Sequence, residues 1–332
     1  MRKTNRTVKR LLLLAACLAA VIVNAGPASR VCAAAGEGDG AAPAQSEDKL
    51  RPVKIWEQDG VEALAIQDRP GQMDVALFSG PAAPAERAGY FKDGKTEAGV
   101  NAFLLRAHGR NILVDTGFGR AAPGESRLME QLAWLGLAPE DLDAVLLSHM
   151  HTDHIGGLVN DGLRVFPKAK LLVSAVELDY WQGGQEQAQK GGKAAVPSPN
   201  VTLARQVIAA YGEDVRKFYG GPLNDALELE SISIMALPAF GHTPGHTVFS
   251  LGAGEPRLLI LGDLVHAVDL QFAIPQECAA YDQDQRAAVF VRESVLSLAA
   301  ETHAMVAGMH IPFPGAGYAL KEGKGFRFVP LE

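Results

Sequence analysis

The sequence predicts an α/β fold in which two β-sheets pack together with helices outside. Short apolar runs bounded by Gly, Asp and Pro recur in both halves of the chain, as strands do. Adjacent strand patterns follow one another without strict strand–helix alternation, which argues against one doubly wound parallel sheet. A length of 332 residues with 48% hydrophobic content suffices for one large domain with a substantial core.

In the first half, residues 63–66, 75–78, 101–105 and 112–114 read as strands. Residues 126–135 carry Leu128, Met129, Leu132 and Leu135 at helical spacing. A short turn at 139–142 leads into the apolar strand 144–147, and 171–174 follows as a strand with 175–181 as a helix. Residues 183–199, rich in Gly, Ala, Lys and Gln with two prolines, read as a mobile loop and candidate lid. The second half repeats the strand pattern at 232–237, 247–251, 258–261 and 304–307, and 284–300 is the longest helical pattern.

The first residues read as a leader. Arg2, Lys3, Arg6, Lys9 and Arg10 precede an unbroken apolar stretch over 11–23. That stretch has the ~7–15-residue span of a secretory core and falls short of the ~20 residues needed to cross a bilayer. Cleavage sites of small residues follow at 23–25 and 33–35. The expected organisation is a signal peptide over 1–35, a flexible tether over 36–52, and a folded hydrolase domain over 53–332. A periplasmic or secreted location follows. The alternative is a lipoprotein acylated at Cys17, since Leu14-Ala15-Ala16-Cys17 resembles a lipoprotein cleavage box. With Cys17 and Cys32 leaving in the leader, Cys278 remains as an apolar filler and no disulfide framework is expected. A formal charge of -7, with no basic run after residue 10, argues against a nucleic-acid partner and for a small-molecule substrate.

The chemistry concentrates in His149-Met150-His151-Thr152-Asp153-His154, directly after the apolar strand 144–147. Residues two apart at a strand end point the same way, so His149 and His151 can grip one ion. Asp153 and His154, where the chain turns into a helix, can face a second. Imidazole and carboxylate suit a borderline divalent metal such as zinc. As solvated loop groups without metal, four such ligands would repel once charged and would be costly to bury unpaired. Three further polar residues flank or end buried strands: His246 in Gly241-His242-Thr243-Pro244-Gly245-His246, Asp263 after 258–261, and His310 after 304–307. Each alone is weak, but together the seven suffice for two ions.

This set resembles the metallo-β-lactamase superfamily, whose signature is His-x-His-x-Asp-His followed by distant His, Asp and His. Leu113-Val114-Asp115-Thr116-Gly117 is similar to that family's early strand-and-turn motif. The stretches 241–247, 261–264 and 323–330 are most similar to its methyl parathion hydrolase branch. The resemblance implies a four-layer αβ/βα sandwich with two mixed β-sheets and the site at one edge. It implies that His149, His151 and His246 hold one ion, that Asp153, His154 and His310 hold the other, and that Asp263 bridges both. Asp115 would orient ligand histidines. His242 is assigned to the turn, because the family's ligand is taken as the second histidine of that motif. A homodimer is implied by relatives in that branch.

Two divalent ions, zinc first with manganese, cobalt or iron as alternatives, would lower the pKa of water from ~15.7 to ~7. The shared hydroxide would attack an ester-like bond in an aryl ester, lactone or phosphotriester. Asp153 and Asp263 would also relay a proton. His266 is either a substrate contact or proton donor, or a hydrogen-bonded support behind the ligands; the position is usually apolar in the methyl parathion hydrolase branch. Trp181, Phe118, Phe272 and Phe313 are candidates to line a pocket or are plain core. Competing readings are a β-lactamase and a metal-binding protein without catalysis. Against the first, those branches generally lack a bridging aspartate at the position of Asp263; against the second, the ligand set is complete.

Overall fold

The structure is a computed structural model that describes residues 51–331 apart from 59, 122–123, 125, 185–197, 230–232 and 253–256. The expected leader, nearly all of the tether, and most of the expected lid lie outside the described residues.

Two seven-stranded sheets form the centre of the molecule. In chain order the first holds β1 (Val53–Gln58), β2 (Val61–Arg69), β3 (Val100–Ala107), β4 (Arg110–Val114), β5 (Ala144–Leu146), β6 (Lys170–Ser174) and β7 (Val215–Phe218). The second holds β8 (Gly221–Pro222), β9 (Ile234–Pro238), β10 (Thr247–Leu251), β11 (Leu258–Ile260), β12 (Met305–Ala307), β13 (Ala316–Glu322) and β14 (Gly325–Pro330). Each strand neighbours the next, so the spatial order is the chain order. Both sheets are mixed: β4 to β7 run parallel, as do β11 and β12, and the other neighbours are antiparallel.

Alternation along the strands explains the layering. On β3, Phe103, Leu105 and Ala107 enter the core between the sheets, whereas Ala102 and Leu104 face helices. On β11 and β12, Leu258, Ile260, Met305 and Ala307 point between the sheets, and Leu259 and Val306 point outward. A period of two therefore sends residues to both faces, and each face is covered. Helices α1 (Leu128–Trp134), α2 (Thr152–Ile155), α3 (Ala175–Asp179) and α4 (Pro199–Tyr211) cover the first sheet. Helices α5 (Val268–Ala273) and α6 (Gln285–Thr302) cover the second. The result is the four-layer αβ/βα sandwich.

Two local expectations change. Of residues 75–78, only Phe78 lies in a strand, the short Phe78–Ser79 that pairs with Cys278–Ala279. Val75–Leu77 form a turn, because the Asp74 carboxylate accepts the Ala76 N–H at 2.8 Å and caps it. The expected loop ends in the start of α4, where Ser198 caps and Pro199 occupies the first helical position. The C-terminal ends of β4, β5, β11 and β12 open at one edge, the place where α/β sheets leave a crevice.

Candidate metal centre

The histidine-rich segment is shaped by the end of β5 and the start of α2. His151 has extended backbone and caps α2, so Asp153 lies in the helix's first turn and His154 follows it. His149 Nε2 and His151 Nδ1 lie 2.9 Å apart, facing one point. Asp115, after β4, adopts left-handed backbone at φ 57°, a strained state for a residue with a side chain. Its carboxylate accepts the Ser148 N–H at 2.8 Å and the Ser148 hydroxyl at 2.5 Å. It also accepts His154 Nδ1–H at 2.7 Å, which turns His154 Nε2 toward Asp263.

The turn after β9 exchanges the two histidines of the sequence reading. His242 Nε2 lies 3.0 Å from His151 Nδ1 and 3.3 Å from Asp263 Oδ2, while Nδ1 faces Asp282 Oδ1 at 3.1 Å. His246, expected as the ligand, has both ring nitrogens engaged elsewhere. Nδ1–H donates to the Ala239 carbonyl at 3.1 Å, and Nε2 accepts the Asp263 backbone N–H at 2.9 Å. It staples β10 to the loop after β11. At Gly262, with φ +57°, an added Cβ would come within 2.5 Å of His246 Nε2, which is why this close approach needs glycine.

Asp263 lies between two groups of donors. Its Oδ2 is 3.8 Å from His149 Nε2 and 3.2 Å from His310 Nε2, and its Oδ1 is 3.1 Å from His154 Nε2. His310 donates Nδ1–H to the Gly99 carbonyl at 2.9 Å, leaving Nε2 to face Asp263 and Asp153. One group is His149, His151, His242 and Asp263; the other is Asp153, His154, Asp263 and His310. Within each, the donor atoms lie within 4.8 Å of one another. These are the dimensions of a pair of metal sites sharing one carboxylate.

A test of fit comes from atoms that want a partner. His154 Nε2 and Asp263 Oδ1 are buried and make no hydrogen bond, although they face each other. Buried polar atoms are rarely left so unless an ion or water completes them. Electrostatics agrees. Burial would lower His154 and His310, but the Asp263 and Asp153 charges prevail, holding His154 well above the ordinary range and His310 up to about 10. Burial resists ionisation of Asp153 and Asp263 too, yet the neighbouring imidazoles hold both below the usual carboxylate range. Burial instead depresses His151 and His246 to about 3. The carboxylates thus demand positive charge between them, and His149 and His151 stay neutral, as ligands must.

Around this centre, His266 puts Nε2 at 3.2 Å from Asp263 Oδ2 and stacks on His310 with centroids 5.1 Å apart. Its Nδ1 is buried without a hydrogen-bond partner. Trp181 stands edge-on to His151 at 5.7 Å. Phe118 is half-buried under the Arg69 guanidinium. Phe272 lies wholly in the core, and Phe313, half-buried, packs against the inter-sheet core. His108 and His303 lie at exposed turns.

Three residues escaped the sequence reading. Glu177 on α3 is fully buried and joins the two histidine segments: Oε1 accepts from Met150 N and Trp181 Nε1, and Oε2 from Thr243 Oγ1 and Gly245 N. The only local signal was a glutamate four residues before a tryptophan. Asp282 backs His242. Tyr281, 46% exposed, brings its ring to 6.0 Å from His266.

Comparison with known proteins agrees with the geometry. The family model described as Metallo-beta-lactamase superfamily matches residues 96–310. The solved hydrolase AbOPH of the beta lactamase superfamily superposes with a TM-score of 0.74 at 25% identity, covering 85% of this chain and 98% of that one. AidC, described as a dizinc quorum-quenching lactonase, does so with a TM-score of 0.72 at 26% identity and the same coverage. Among curated proteins, YobT of Bacillus subtilis is 28% identical over 45% of this chain and 56% of its own length. A Mycobacterium tuberculosis protein named "Probable metallo-hydrolase" is 25% identical over 49% of this chain and 57% of its own length. The chain therefore spans little more than half the length of these curated relatives.

Proposed function

Because the chain belongs to the metallo-beta-lactamase superfamily, we propose that it is an exported hydrolase of lactones and related esters that works with two divalent metal ions. The observation that carries this reading is the pair of four-ligand groups joined at Asp263. His149, His151 and His242 would hold one ion, Asp153, His154 and His310 the other, and Asp263 both. Such a pair, with zinc the first choice for imidazole and carboxylate ligands, supplies a nucleophile from water at neutral pH and polarises the bond to be cut.

The rest is done by the protein. Asp115, Asp282 and the Gly99 carbonyl fix which ring nitrogen of His154, His242 and His310 faces inward. His266 donates Nε2–H to the shared carboxylate and buries Nδ1, so it supports Asp263 from behind the ligands. Tyr281, whose phenol is raised by burial and by the Asp153 and Asp263 charges, is the exposed aromatic at this rim and offers a contact to an acyl chain.

Lactones and esters come first because AidC is described as a lactonase. The likeness to methyl parathion hydrolase at 241–247, 261–264 and 323–330 keeps phosphotriesters on the panel. Export rests on the basic head and apolar run of residues 2–23. Among the described residues no helix is long and apolar enough to cross a membrane.

The test is elemental analysis of purified protein, joined to chelation and readdition of zinc, manganese or cobalt. Turnover of acyl lactones, aryl esters, phosphotriesters and nitrocefin is then compared. The expected result is about two ions per chain and chelator-sensitive lactone or ester hydrolysis. Nitrocefin turnover above all others would replace the substrate class. One ion or none under metal-replete conditions would sink the reading.

A further inference from the structure

Among the described residues one arginine is completely buried, and its purpose is legible from what it touches. Arg292 sits in the middle of α6 with no exposed surface. It donates Nε–H to the Leu264 carbonyl at 2.5 Å and Nη1–H to the Pro275 and Glu277 carbonyls at 2.8 and 2.9 Å. Nη2–H donates to Asp282 Oδ2 at 3.1 Å. The other Asp282 oxygen faces His242 Nδ1 at 3.1 Å, and His242 Nε2 faces Asp263. Leu264 directly follows Asp263, so one guanidinium anchors both the chain beside the shared carboxylate and the carboxylate behind His242.

A buried ion pair is a poor device for stability, since apolar residues of similar volume often do as well or better. A carboxylate behind a ligand imidazole, by contrast, fixes its tautomer and raises its basicity. Among the described residues the two donor groups are backed differently. His154 is backed by Asp115, which is held by Ser148 of the same sheet. His242 is backed by Asp282, which is held by a helix over the other sheet.

We propose that Asp282, held in place by Arg292, is a positioning residue for His242, and so sets the affinity of the ion held by His149, His151 and His242 without setting that of the other. This rests on the proposed two-ion reading.

The test measures binding of zinc, or of cobalt followed by its visible absorption, in the full chain with a competing chelator. Asp282→Asn keeps the shape but removes the charge. It is expected to weaken one of the two ions by about 10–100-fold and leave the other unchanged. Arg292→Lys, which keeps the charge but loses the fork, is expected to weaken the same ion by less. His242→Ala identifies that ion by abolishing it. If His242→Ala removes one ion while Asp282→Asn binds both as the wild type does, the positioning role is overturned and the two-ion reading stands. If His242→Ala keeps both ions, the ligand assignment beneath it falls. Equal weakening of both ions in Asp282→Asn would mark Asp282 as general scaffolding and also overturn the proposal.

Discussion

Replacing Glu177 by Gln changes one atom and should cost more than its size suggests. The carboxylate is buried between the segment carrying His149 and His151 and the turn carrying His242. Oε1 accepts from Met150 N at 2.9 Å and Trp181 Nε1 at 2.6 Å; Oε2 accepts from Thr243 Oγ1 at 2.7 Å and Gly245 N at 2.9 Å. If the new amide nitrogen takes the Oε1 place, it meets two N–H donors that cannot turn away. If it takes the Oε2 place, the Thr243 hydroxyl can rotate to accept, but the Gly245 N–H is orphaned. The cheaper choice leaves one buried donor unsatisfied, at roughly 1–3 kcal/mol. It also removes the charge, but burial already holds this carboxyl above its usual range, so the desolvation relieved offsets the charge assistance lost from the remaining bonds. A total loss of about 1–3 kcal/mol follows. Denaturant unfolding of chelated wild type and Glu177→Gln measures it directly. The same variant should weaken the ion facing His149, His151 and His242, since the clamp sets the distance between their segments. A loss below about 1 kcal/mol, or an unaltered ion affinity, would refute this account of Glu177.

Asp115→Asn should weaken the ion facing Asp153, His154 and His310 by about 10–100-fold in chelator competition, because His154 loses the carboxylate that orients it. His246→Phe should lower unfolding free energy by roughly 2–4 kcal/mol through two lost bonds, to Ala239 and Asp263, yet keep the metal count unchanged in elemental analysis. Chelated protein should be most stable near neutral pH, as read from denaturant unfolding across pH. His310, held up to about 10 against 6.5, contributes stability that is full below pH 6.5 and lost as pH rises through about 10. His151 and His246, depressed to about 3, refuse protons that the unfolded chain binds, so stability also falls as pH drops below 6.5 toward about 3. A steady rise in stability from pH 7 to 10 would contradict this sign.

The layers of the fold were readable because the strands are short and nearly all apolar, and both faces of each sheet are covered. Residues 258–260 and 305–307 are buried on both sides, so their runs stand out as unbroken hydrophobic patches. Where side-chain chemistry overrules hydrophobicity, the reading failed. Val75, Ala76 and Leu77 look like a strand, but Asp74 offers the backbone a competing hydrogen bond and turns them. The helix at Pro199–Tyr211 is signalled only by Ser198 as its cap and Pro199 at its start, directly after a Gly- and Lys-rich stretch of loop-like composition.

The misplacement of His246 shows where local pattern stops deciding. His242 and His246 sit in one Gly- and Pro-rich turn, four residues apart, and either could be aimed at an ion. What separates them is the partner of the ring nitrogen turned away from the site. His242 gives Nδ1 to a carboxylate forty residues on and keeps Nε2 for the site. His246 gives Nδ1 to a carbonyl and Nε2 to a backbone N–H seventeen residues on, so no lone pair is left. The same criterion selects His154 through Asp115 and His310 through Gly99. For these three histidines the choice is made by a tertiary contact on one ring nitrogen that leaves the other nitrogen for the site. In this fold those contacts come from the ends of other strands and from the loop ahead of α6, which sequence spacing cannot place.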